Sequence, residues 1–274
     1  MRTLDGKVVV ITGAASGIGR ALAVEAAGRG AHLAVSDVDE AGLALTAGLA
    51  ERAGARSVRT DRVDVADRTA MATYAATVAT HHARVDVVVN NAGVALVGHL
   101  ADLAYQDLEW IVGVNLWGVV HGTKEFLPHL IASGNGALVN ISSLFGLVSM
   151  PGQSAYNATK YAVRGLSEAV REEMLVAGHP VKVTVVHPGG VRTAIARNAR
   201  TSALVDHDAA ARLFDERMAT TGAEGAARVI WRGVLRGKPR VLVGLDAHVL
   251  HHFAKIAGSR YQDVVAFLAP RLTR

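Results

Sequence analysis

The chain has 274 residues, of which 50% are apolar and 19% are charged, and it contains no cysteine. This length and apolar content favour a large buried core over disorder, and the lack of cysteine excludes disulfides, thiolate catalysis and cysteine-bound metal. The net charge of +5 arises in the last third, where residues 197–274 hold 13 basic against 7 acidic side chains, and we interpret this excess as solvated helix faces rather than a surface for nucleic acid.

The N-terminal stretch MRTLDGKVVVITG lacks the charged region and the long apolar run of a secretory signal peptide. The sequence also has no run of ~18 uncharged apolar residues that would suggest a membrane-spanning helix. We therefore expect a cytoplasmic protein, in agreement with the absence of cysteine.

Short β-branched runs alternate with helical stretches along the chain. The predicted strands cover residues 7–13, 32–37, 57–65, 85–93, 137–143, 181–190 and 239–244. The predicted helices cover residues 15–30, 39–53, 67–82, 102–133 and 154–178. This alternation is typical of a parallel sheet with helices on both faces. The sequence therefore predicts a single α/β domain over residues 1–246, a doubly wound Rossmann fold of about seven strands.

The segment TGAASGIG (12–19) joins the first predicted strand to the first helix. Its glycines would permit a tight turn, the close approach of a diphosphate and the packing of the helix on the strand. The helix N-terminus would then present N–H groups to the phosphates. The candidate cofactor-binding residues in this turn are Gly13, Ser16, Gly17, Ile18 and Gly19.

Asp37 ends the second predicted strand, where a carboxylate would accept hydrogen bonds from the adenosine ribose. The 2′-phosphate of NADP would be repelled there, and no basic residue follows Asp37 directly. Ser16 also occupies a position in the glycine turn where an arginine could hold that phosphate. We therefore predict NAD as the cofactor, with helix capping as the alternative role of Asp37.

Further motifs follow in order along the chain. They are DV (64–65), NNAG (90–93), the asparagine of VNLWG (115), NISS (140–143), YNATK (156–160) and PGGVRT (188–193). Together with the glycine turn, they make residues 5–245 resemble the short-chain dehydrogenase/reductase family. This resemblance implies a homo-oligomer, with a tetramer favoured over a dimer, and an oxidoreductase.

The resemblance also implies roles for individual residues. A catalytic tetrad would consist of Asn115, Ser143, Tyr156 and Lys160. Further cofactor contacts would be Asp64, Val65, Asn91, Ala92, Gly93, Pro188, Gly189, Val191 and Thr193, with Tyr156 and Lys160 on the nicotinamide side.

Tyr156 and Lys160 are four residues apart, so a helix places both side chains on one face. Hydride transfer from a secondary alcohol needs a base for the hydroxyl proton, and a free phenol has a pKa of about 10. An ammonium ~4 Å from the phenolate would stabilise it by about 4 kcal/mol at an effective dielectric constant of ~20. We therefore expect Lys160 to bring the pKa of Tyr156 towards neutrality, so that Tyr156 acts as general acid and base. Ser143 would hydrogen-bond the substrate oxygen.

The residues between Ser143 and Tyr156 are mostly apolar, which favours a hydrophobic alicyclic, steroid-like or long-chain alcohol or ketone. The candidate substrate contacts are Ser143, Phe145, Met150, Gln153 and Tyr156.

Two later segments border the predicted site or extend the domain. Residues 192–222 are suited to a substrate lid. Residues 247–274 form a predicted helical extension that packs on its own or a neighbouring subunit, with membrane contact as the weaker alternative.

Two groups of histidines, His81 with His82 and His248 with His251 and His252, have spacings compatible with metal ligands. No cysteine or nearby acid completes either set, so we predict no metal.

Two alternative functions stay open. One is an NADPH-dependent carbonyl or 3-oxoacyl reductase, and the other is a dinucleotide-binding sensor without catalysis.

Overall fold

The computed structural model describes residues 1–272, and a sheet of seven parallel strands forms its centre. The strands of this sheet are β1 (Val8–Thr12), β2 (His32–Asp37), β3 (Ser57–Arg62), β4 (Val87–Asn90), β6 (Gly136–Ile141), β7 (Val181–Pro188) and β9 (Arg240–Val243). Their order across the sheet is β3–β2–β1–β4–β6–β7–β9, and every pairing is parallel. The predicted doubly wound α/β fold is confirmed.

Helices cover both faces of this sheet. They are α1 (Gly17–Ala27), α2 (Glu40–Ala53), α3 (Arg68–His82), α4 (Tyr105–Val112), α5 (Gly118–Ala132), α6 (Ser154–Val176), α7 (His207–Leu213), α8 (Ala223–Leu235), α9 (Leu245–Ala257) and α10 (Tyr261–Leu272). Side chains alternate along β1, so Val9 and Ile11 pack with α1, α2 and α8, whereas Val10 packs with α3, α5 and α6. The sheet strands therefore read as apolar runs because both of their faces are buried.

Several predicted elements are longer than the observed ones. Strand β3 ends at Arg62 rather than at 65, and β4 covers only Val87–Asn90 of the predicted 85–93. The helix predicted over 102–133 begins at Tyr105 and contains a π-helical turn, Gly113–Trp117, between α4 and α5. The chain leaves β4 early because residues after Asn90 turn towards the glycine loop of β1, where Asn91 donates to backbone carbonyls.

A second, two-stranded sheet was not predicted. It consists of β5 (Leu96–Val97) and β8 (Arg200–Thr201), which pair in parallel. Strand β8 lies within the segment 192–222, so this pairing joins the predicted lid to the chain that follows β4. A two-residue strand carries no periodic pattern, which is why the sequence did not reveal it.

The sheet order reverses between β1 and β4, because β2 and β3 lie on one side of β1 and the later strands lie on the other. In open α/β sheets a crevice forms at the carboxyl ends of the strands at this point, and ligands bind there. The turn after β1, the segment after β4 and the loop after β6 all leave the sheet at this edge.

The C-terminal helices α9 and α10 pack beside the loop after β6. Ala247 and Tyr261 form a small apolar cluster with Leu144 and Val148 of that loop, and the Tyr261 hydroxyl accepts a hydrogen bond from Ser149 N–H at 3.1 Å. The extension therefore contacts the loop that follows Ser143 in its own chain.

Between residues 1 and 272, none of the helices combines the length and the apolar character needed to cross a membrane.

Two helical glycines differ in what surrounds them. A Cβ on Gly122 of α5 would collide with the buried amide of Asn90, whereas a Cβ on Gly165 of α6 would meet no atom within 4 Å. Alanine is favoured over glycine in a helix by about 1 kcal/mol. We expect Gly165→Ala to raise the free energy of unfolding by about that amount, and Gly122→Ala to lower it by about 1–3 kcal/mol through overpacking. Urea unfolding of the two variants checks this, and equal stabilisation by both would contradict the close packing at Asn90.

Candidate active site

The glycine turn after β1 is shaped by its contact with the segment after β4. Gly13 has φ +65°, and a Cβ there would lie 2.6 Å from Ala92 Cα. A Cβ on Gly19 would overlap the Gly13 carbonyl. Gly17 has φ +53°, and its Cβ would lie 3.0 Å from Thr193 Cγ2. Glycine is required in this turn because the backbone bends into the left-handed region and the neighbouring segments approach closely.

The N-terminus of α1 differs from those of the next two helices. Asp39 caps α2 by accepting from Gly42 N–H, and Asp67 caps α3 by accepting from Thr69 and Ala70 N–H. Within the described chain, Ser16 makes no such bond at α1, and the first turn of α1 contains no acidic side chain. Its N–H groups and its positive dipole end therefore suit an anionic ligand such as the diphosphate of a dinucleotide.

Asp37 lies beside this turn at the end of β2. Its Oδ2 accepts from Ala15 N–H at 2.9 Å, and its Oδ1 accepts from Val38 and Asp39 N–H at 2.8 and 3.2 Å. Since Oδ2 has a single partner among these bonds, it can accept a second hydrogen bond from a ribose hydroxyl. The pairing of β2 with β3 also places Arg62 next to Asp37, a basic neighbour that the linear sequence did not reveal.

The other predicted adenosine contacts line the same crevice. The Asn91 amide donates to the Thr12 and Gly13 carbonyls, both at 2.9 Å, and Thr12 Oγ1 accepts from Asn91 and Ala92 N–H. Asp64 accepts from Ala66 N–H at 2.9 Å. Val65 is buried and packs directly against Gly118 of α5, where a Cβ would lie only 2.6 Å from Val65 Cγ2. Thr12 and Asn91 thus tie the end of β4 to the glycine turn, a positioning function that sequence reasoning missed for Thr12.

Tyr156 and Lys160 lie one turn apart on α6, with Lys160 Nζ 5.6 Å from the centre of the Tyr156 ring. Lys160 is only 3% exposed, and its Nζ donates to the Ile141 carbonyl at 3.1 Å. A Cβ on Gly93 would lie 3.3 Å from both Lys160 Nζ and Asn115 Oδ1. The structure therefore brings Lys160, Asn115 and Tyr156 together next to the end of β4.

The protonation states differ from the expectation. Burial raises the pKa of Tyr156 above its ordinary value of 10.0, and a hydrogen bond with Ser143 opposes this only in part. Burial lowers the pKa of Lys160 to about 8. In the protein by itself, burial therefore raises the pKa of Tyr156, and the expected lowering by Lys160, whose ammonium is bound to the Ile141 carbonyl, is not seen.

Asn115 occupies the π-helical turn Gly113–Trp117 and is fully buried. Its Oδ1 accepts from Val94 N–H at 2.8 Å, and its Nδ2 donates to the Val94 carbonyl at 2.9 Å. The turn widens the helix at this residue, which directs an amide to the backbone after β4 rather than to its own helix. Asn115 therefore fixes the chain next to Lys160.

Ser143 follows β6, and its hydrogen bonds define a tight turn. Its Oγ accepts from Phe145 N–H at 3.1 Å. Its carbonyl accepts from Gly146 N–H at 2.9 Å and from His187 Nδ1 at 2.8 Å. The Ser143 hydroxyl proton is left to donate towards Tyr156 or a substrate oxygen.

The predicted substrate contacts surround this turn. The Phe145 ring meets the Tyr156 ring edge-on at 6.3 Å between centres. Met150 and Gln153 follow in the same loop and are both partly exposed. Asn157 holds the loop by donating to the Phe145 and Val148 carbonyls and accepting from Met150 N–H. Asn157 was missed, although a buried asparagine inside YNATK was a signal for such a role.

Residues after β7 complete the crevice. Thr193 lies against Gly17, and Val191 is buried and pairs with Thr221. Asp246 of α9 accepts from Gly190 N–H at 2.6 Å, and its carboxylate fills the space where Gly189 would carry a Cβ. Asp246 thus braces the Pro188–Gly190 turn, a role that no sequence pattern indicates because the two segments are far apart along the chain.

The segment 192–222 is anchored by Arg200. Its guanidinium lies 4.0 Å above the centre of the Trp110 ring and binds Asp107 at 2.9 Å.

The histidine groups considered as metal ligands each contain adjacent rings, His81 with His82 and His251 with His252. In the part of the chain that the structure describes, no three or more His, Cys, Asp or Glu side chains are arranged to hold a metal ion.

Comparisons with known proteins agree with this arrangement. The model of the short chain dehydrogenase family matches residues 7–203. The chain is 54% identical to SadH of Mycobacterium tuberculosis, which is named as an oxidoreductase, over 97% of this chain and 96% of that protein. It is 35% identical to the 3-oxoacyl-[acyl-carrier-protein] reductase FabG of Thermotoga maritima over 69% of this chain and 76% of that protein.

Among solved structures, a short chain dehydrogenase/reductase from Burkholderia phymatum in complex with NAD is similar to this chain, with a TM-score of 0.86 and 32% identity. The match covers 94% of this chain and 95% of that one.

The burial of Lys160 has a measurable cost. Its pKa falls from 10.5 to about 8, so folding disfavours the ammonium below about pH 8, and this cost disappears as the pH rises through about 10.5. At about 1.4 kcal/mol per pKa unit, this fall of about 2.5 units corresponds to a cost of about 3–4 kcal/mol. We expect Lys160→Met to be more stable than the parent at neutral pH by about 1–3 kcal/mol, with the difference shrinking towards pH 10. Urea unfolding at both pH values checks this, and a pH-independent difference would contradict it.

Proposed function

Because the chain belongs to the short-chain dehydrogenase/reductase family, we propose that it transfers a hydride between NAD(H) and a secondary alcohol or ketone. The observation that carries the proposal is the cluster at the end of the sheet. Tyr156, Ser143 and the buried Lys160 converge there beside Gly93, where a Cβ would lie 3.3 Å from Lys160 Nζ. This cluster pairs a proton donor with a hydrogen-bond donor for a single substrate oxygen.

NAD is the proposed cofactor, and three features of the chain support it. The uncapped N-terminus of α1 suits the diphosphate. Asp37 offers Oδ2 to the adenosine ribose and would repel a 2′-phosphate. Asn91, Ala92 and Gly93 form the wall between these two points and the cluster around Lys160. Asp64, Val65, Val191 and Thr193 are proposed as the flanking contacts, and the related Burkholderia phymatum structure contains NAD.

Tyr156 is the proposed proton carrier. Since burial raises its pKa, the phenol holds its proton at neutral pH and can donate it to a carbonyl oxygen during reduction. Ser143 offers its hydroxyl proton to the same oxygen while its lone pair is held by Phe145 N–H. When bound, the nicotinamide supplies or accepts the hydride at the substrate carbon. In the reverse direction Tyr156 must first release its own proton, and the resulting phenolate takes up the hydroxyl proton as the hydride leaves the alcohol.

Lys160 supplies a positive charge behind Tyr156. A lysine with a pKa of about 8 keeps most of its charge at neutral pH, and this charge favours any negative charge that develops on the phenol. Asn115 holds the Val94 backbone. Its Oδ1 and Lys160 Nζ both lie next to Gly93, 3.3 Å from where a Cβ of that residue would be. We propose that these two residues complete the catalytic tetrad.

The proposed substrate is a hydrophobic alcohol or ketone of alicyclic, steroid-like or long-chain character. The support is the apolar loop after Ser143, in which Phe145 borders Tyr156, Met150 is held by Asn157, and Gln153 precedes the first turn of α6. Residues 192–222 are the proposed lid, held at Arg200 and at the pairing of Val191 with Thr221.

One alternative has its own support. An NADPH-dependent carbonyl or 3-oxoacyl reductase is favoured by Arg62, which the sheet places beside Asp37, and by the likeness to a 3-oxoacyl reductase. Arginine is the side chain suited to a 2′-phosphate. The non-catalytic sensor has no comparable support, because Ser143, Tyr156 and Lys160 are all present and Tyr156 lies beside both of the others.

A homotetramer in the cytoplasm is the proposed assembly and location. Apolar side chains on the long helices support self-association, since Tyr105 and Trp117 are 83% and 52% exposed and Leu175 and Val176 at the end of α6 are 62% and 90% exposed. The absence of cysteine suits a reducing compartment.

A panel of hydrophobic secondary alcohols and ketones, assayed with NAD(H) and NADP(H) by nicotinamide absorbance, tests the proposed reaction. We expect Tyr156→Phe to reduce kcat by at least about a thousandfold through loss of the proton carrier, with NAD affinity changed less than about twofold. Tyr161→Phe, the neighbouring tyrosine on α6, is the matched control and should keep its activity. A fully active Tyr156→Phe enzyme would show that another group carries the proton.

Asp37→Ala tests the cofactor preference. We expect NAD to bind about tenfold more weakly and NADP to gain, because the ribose acceptor and the repulsion of the 2′-phosphate are both removed. Asp39→Ala is the control, since it removes the neighbouring carboxylate that caps α2 and should lower stability by about 1 kcal/mol without changing the ratio. Calorimetric titration with both dinucleotides gives the result, and an unchanged ratio in Asp37→Ala would reject NAD selection by this residue.

A further inference from the structure

The backbone pairing between β6 and β7 stops next to Ser143. One bond continues past the end of β6, from Ser142 N–H to the Val186 carbonyl at 2.8 Å. Pro188 lacks an N–H group, so β7 has no further backbone donor for β6 at its end. The imidazole of His187 replaces it, since Nδ1 lies 2.8 Å from the Ser143 carbonyl oxygen.

The bonds around Ser143 divide into local and distant ones. Phe145 N–H binds its Oγ and Gly146 N–H binds its carbonyl, and both donors lie within three residues in the same turn. These bonds set the shape of the turn, but they do not fix its position relative to the sheet, because donor and acceptor belong to the same turn. The bond from His187 joins the Ser143 carbonyl to a central strand, so it fixes where the turn lies relative to the sheet.

The burial and the protonation state of His187 suit it to donate a hydrogen bond to the Ser143 carbonyl. It is fully buried, and burial lowers its pKa to about 4, so the ring is neutral in the physiological range. A carbonyl oxygen can only accept, hence Nδ1 carries the proton and Nε2 does not. The charged groups that face the ring are Arg164 and Glu168 of α6 and Arg240 of β9, and Glu168 pairs with both arginines.

We infer that His187 is a positioning residue for Ser143. This inference rests on the proposed function, in which the Ser143 hydroxyl contacts the substrate oxygen. Loss of the Nδ1 donor would leave a buried carbonyl without its distant partner, and the turn would shift until another donor is found. A displacement of the hydroxyl by a fraction of an ångström weakens a transition-state contact without affecting the distant adenosine site.

Side-chain geometry supplies matched variants. The amide nitrogen of asparagine can occupy the place of Nδ1, whereas that of glutamine lies one bond further out, near Nε2, and leucine has no donor. We expect His187→Asn to keep kcat within about threefold of the parent, and His187→Gln and His187→Leu to lose about tenfold or more. NAD affinity should stay within about twofold in all three.

Thr184→Val is the control for general damage to β7. Thr184 is buried on the same strand and donates to the Lys238 carbonyl at 2.8 Å, far along the chain from Ser143. This variant should lower stability as the His187 variants do but leave kcat unchanged. Full activity in His187→Leu, or equal activity in the Asn and Gln variants, would overturn the inference. If His187→Leu does not fold, the comparison of Asn with Gln decides alone.

A separate measurement does not depend on turnover. Ring ¹⁵N chemical shifts of the protein labelled at histidine, with His187 assigned from its loss in His187→Asn, should show a protonated Nδ1 and an unprotonated Nε2. The opposite tautomer would remove the bond to Ser143 and overturn the inference. If the parent protein turns over no alcohol or ketone of the panel, the proposed reaction fails, and the tautomer alone decides whether His187 holds Ser143.

Discussion

The buried ammonium of Lys160 is the interaction on which the arrangement of the site depends. It is bound to the Ile141 carbonyl at the end of β6, and a Cβ at position 93 would lie only 3.3 Å from its Nζ. A lone buried cation is costly, since the surroundings lower its pKa to about 8. A fold retains such a cost where the charge serves chemistry rather than stability. Asn115, the π-helical turn and the end of β4 are all placed around this one group.

The same burial determines how Tyr156 behaves. Its phenol is kept protonated by desolvation, so the protein by itself presents a protonated hydroxyl beside Ser143. An ammonium ~4 Å from a phenolate favours the ionised phenol by Coulomb attraction alone, whereas desolvation of both groups opposes their ionisation. The helical spacing correctly placed the two side chains together, but their protonation depends on the surrounding core, which spacing does not describe.

The fold and the candidate site differ in how far sequence could predict them. The strands of the main sheet are apolar runs between helices of suitable length, and their existence follows from local periodicity. The β5–β8 pair, Arg62 beside Asp37, and the braces His187 and Asp246 depend on contacts between segments that are distant along the chain. Pattern and spacing carry no information about such contacts, so motif residues were found and the residues that hold them were not.

The segments at the carboxyl edge of the sheet differ in how they are fastened. Thr12, Asn91, Asn157, His187 and Asp246 each bind backbone of another element, which makes the turns around the reacting centre rigid. The chain between Arg200 and Thr221 is fastened at its two ends and, between them, by the ion pair of Asp215 with Arg197. Loops of this kind can change sequence at little cost to the fold. The turn that carries Ser143 is therefore tied to several other elements of the sheet, whereas residues 202–220 make fewer such bonds to the backbone of other elements.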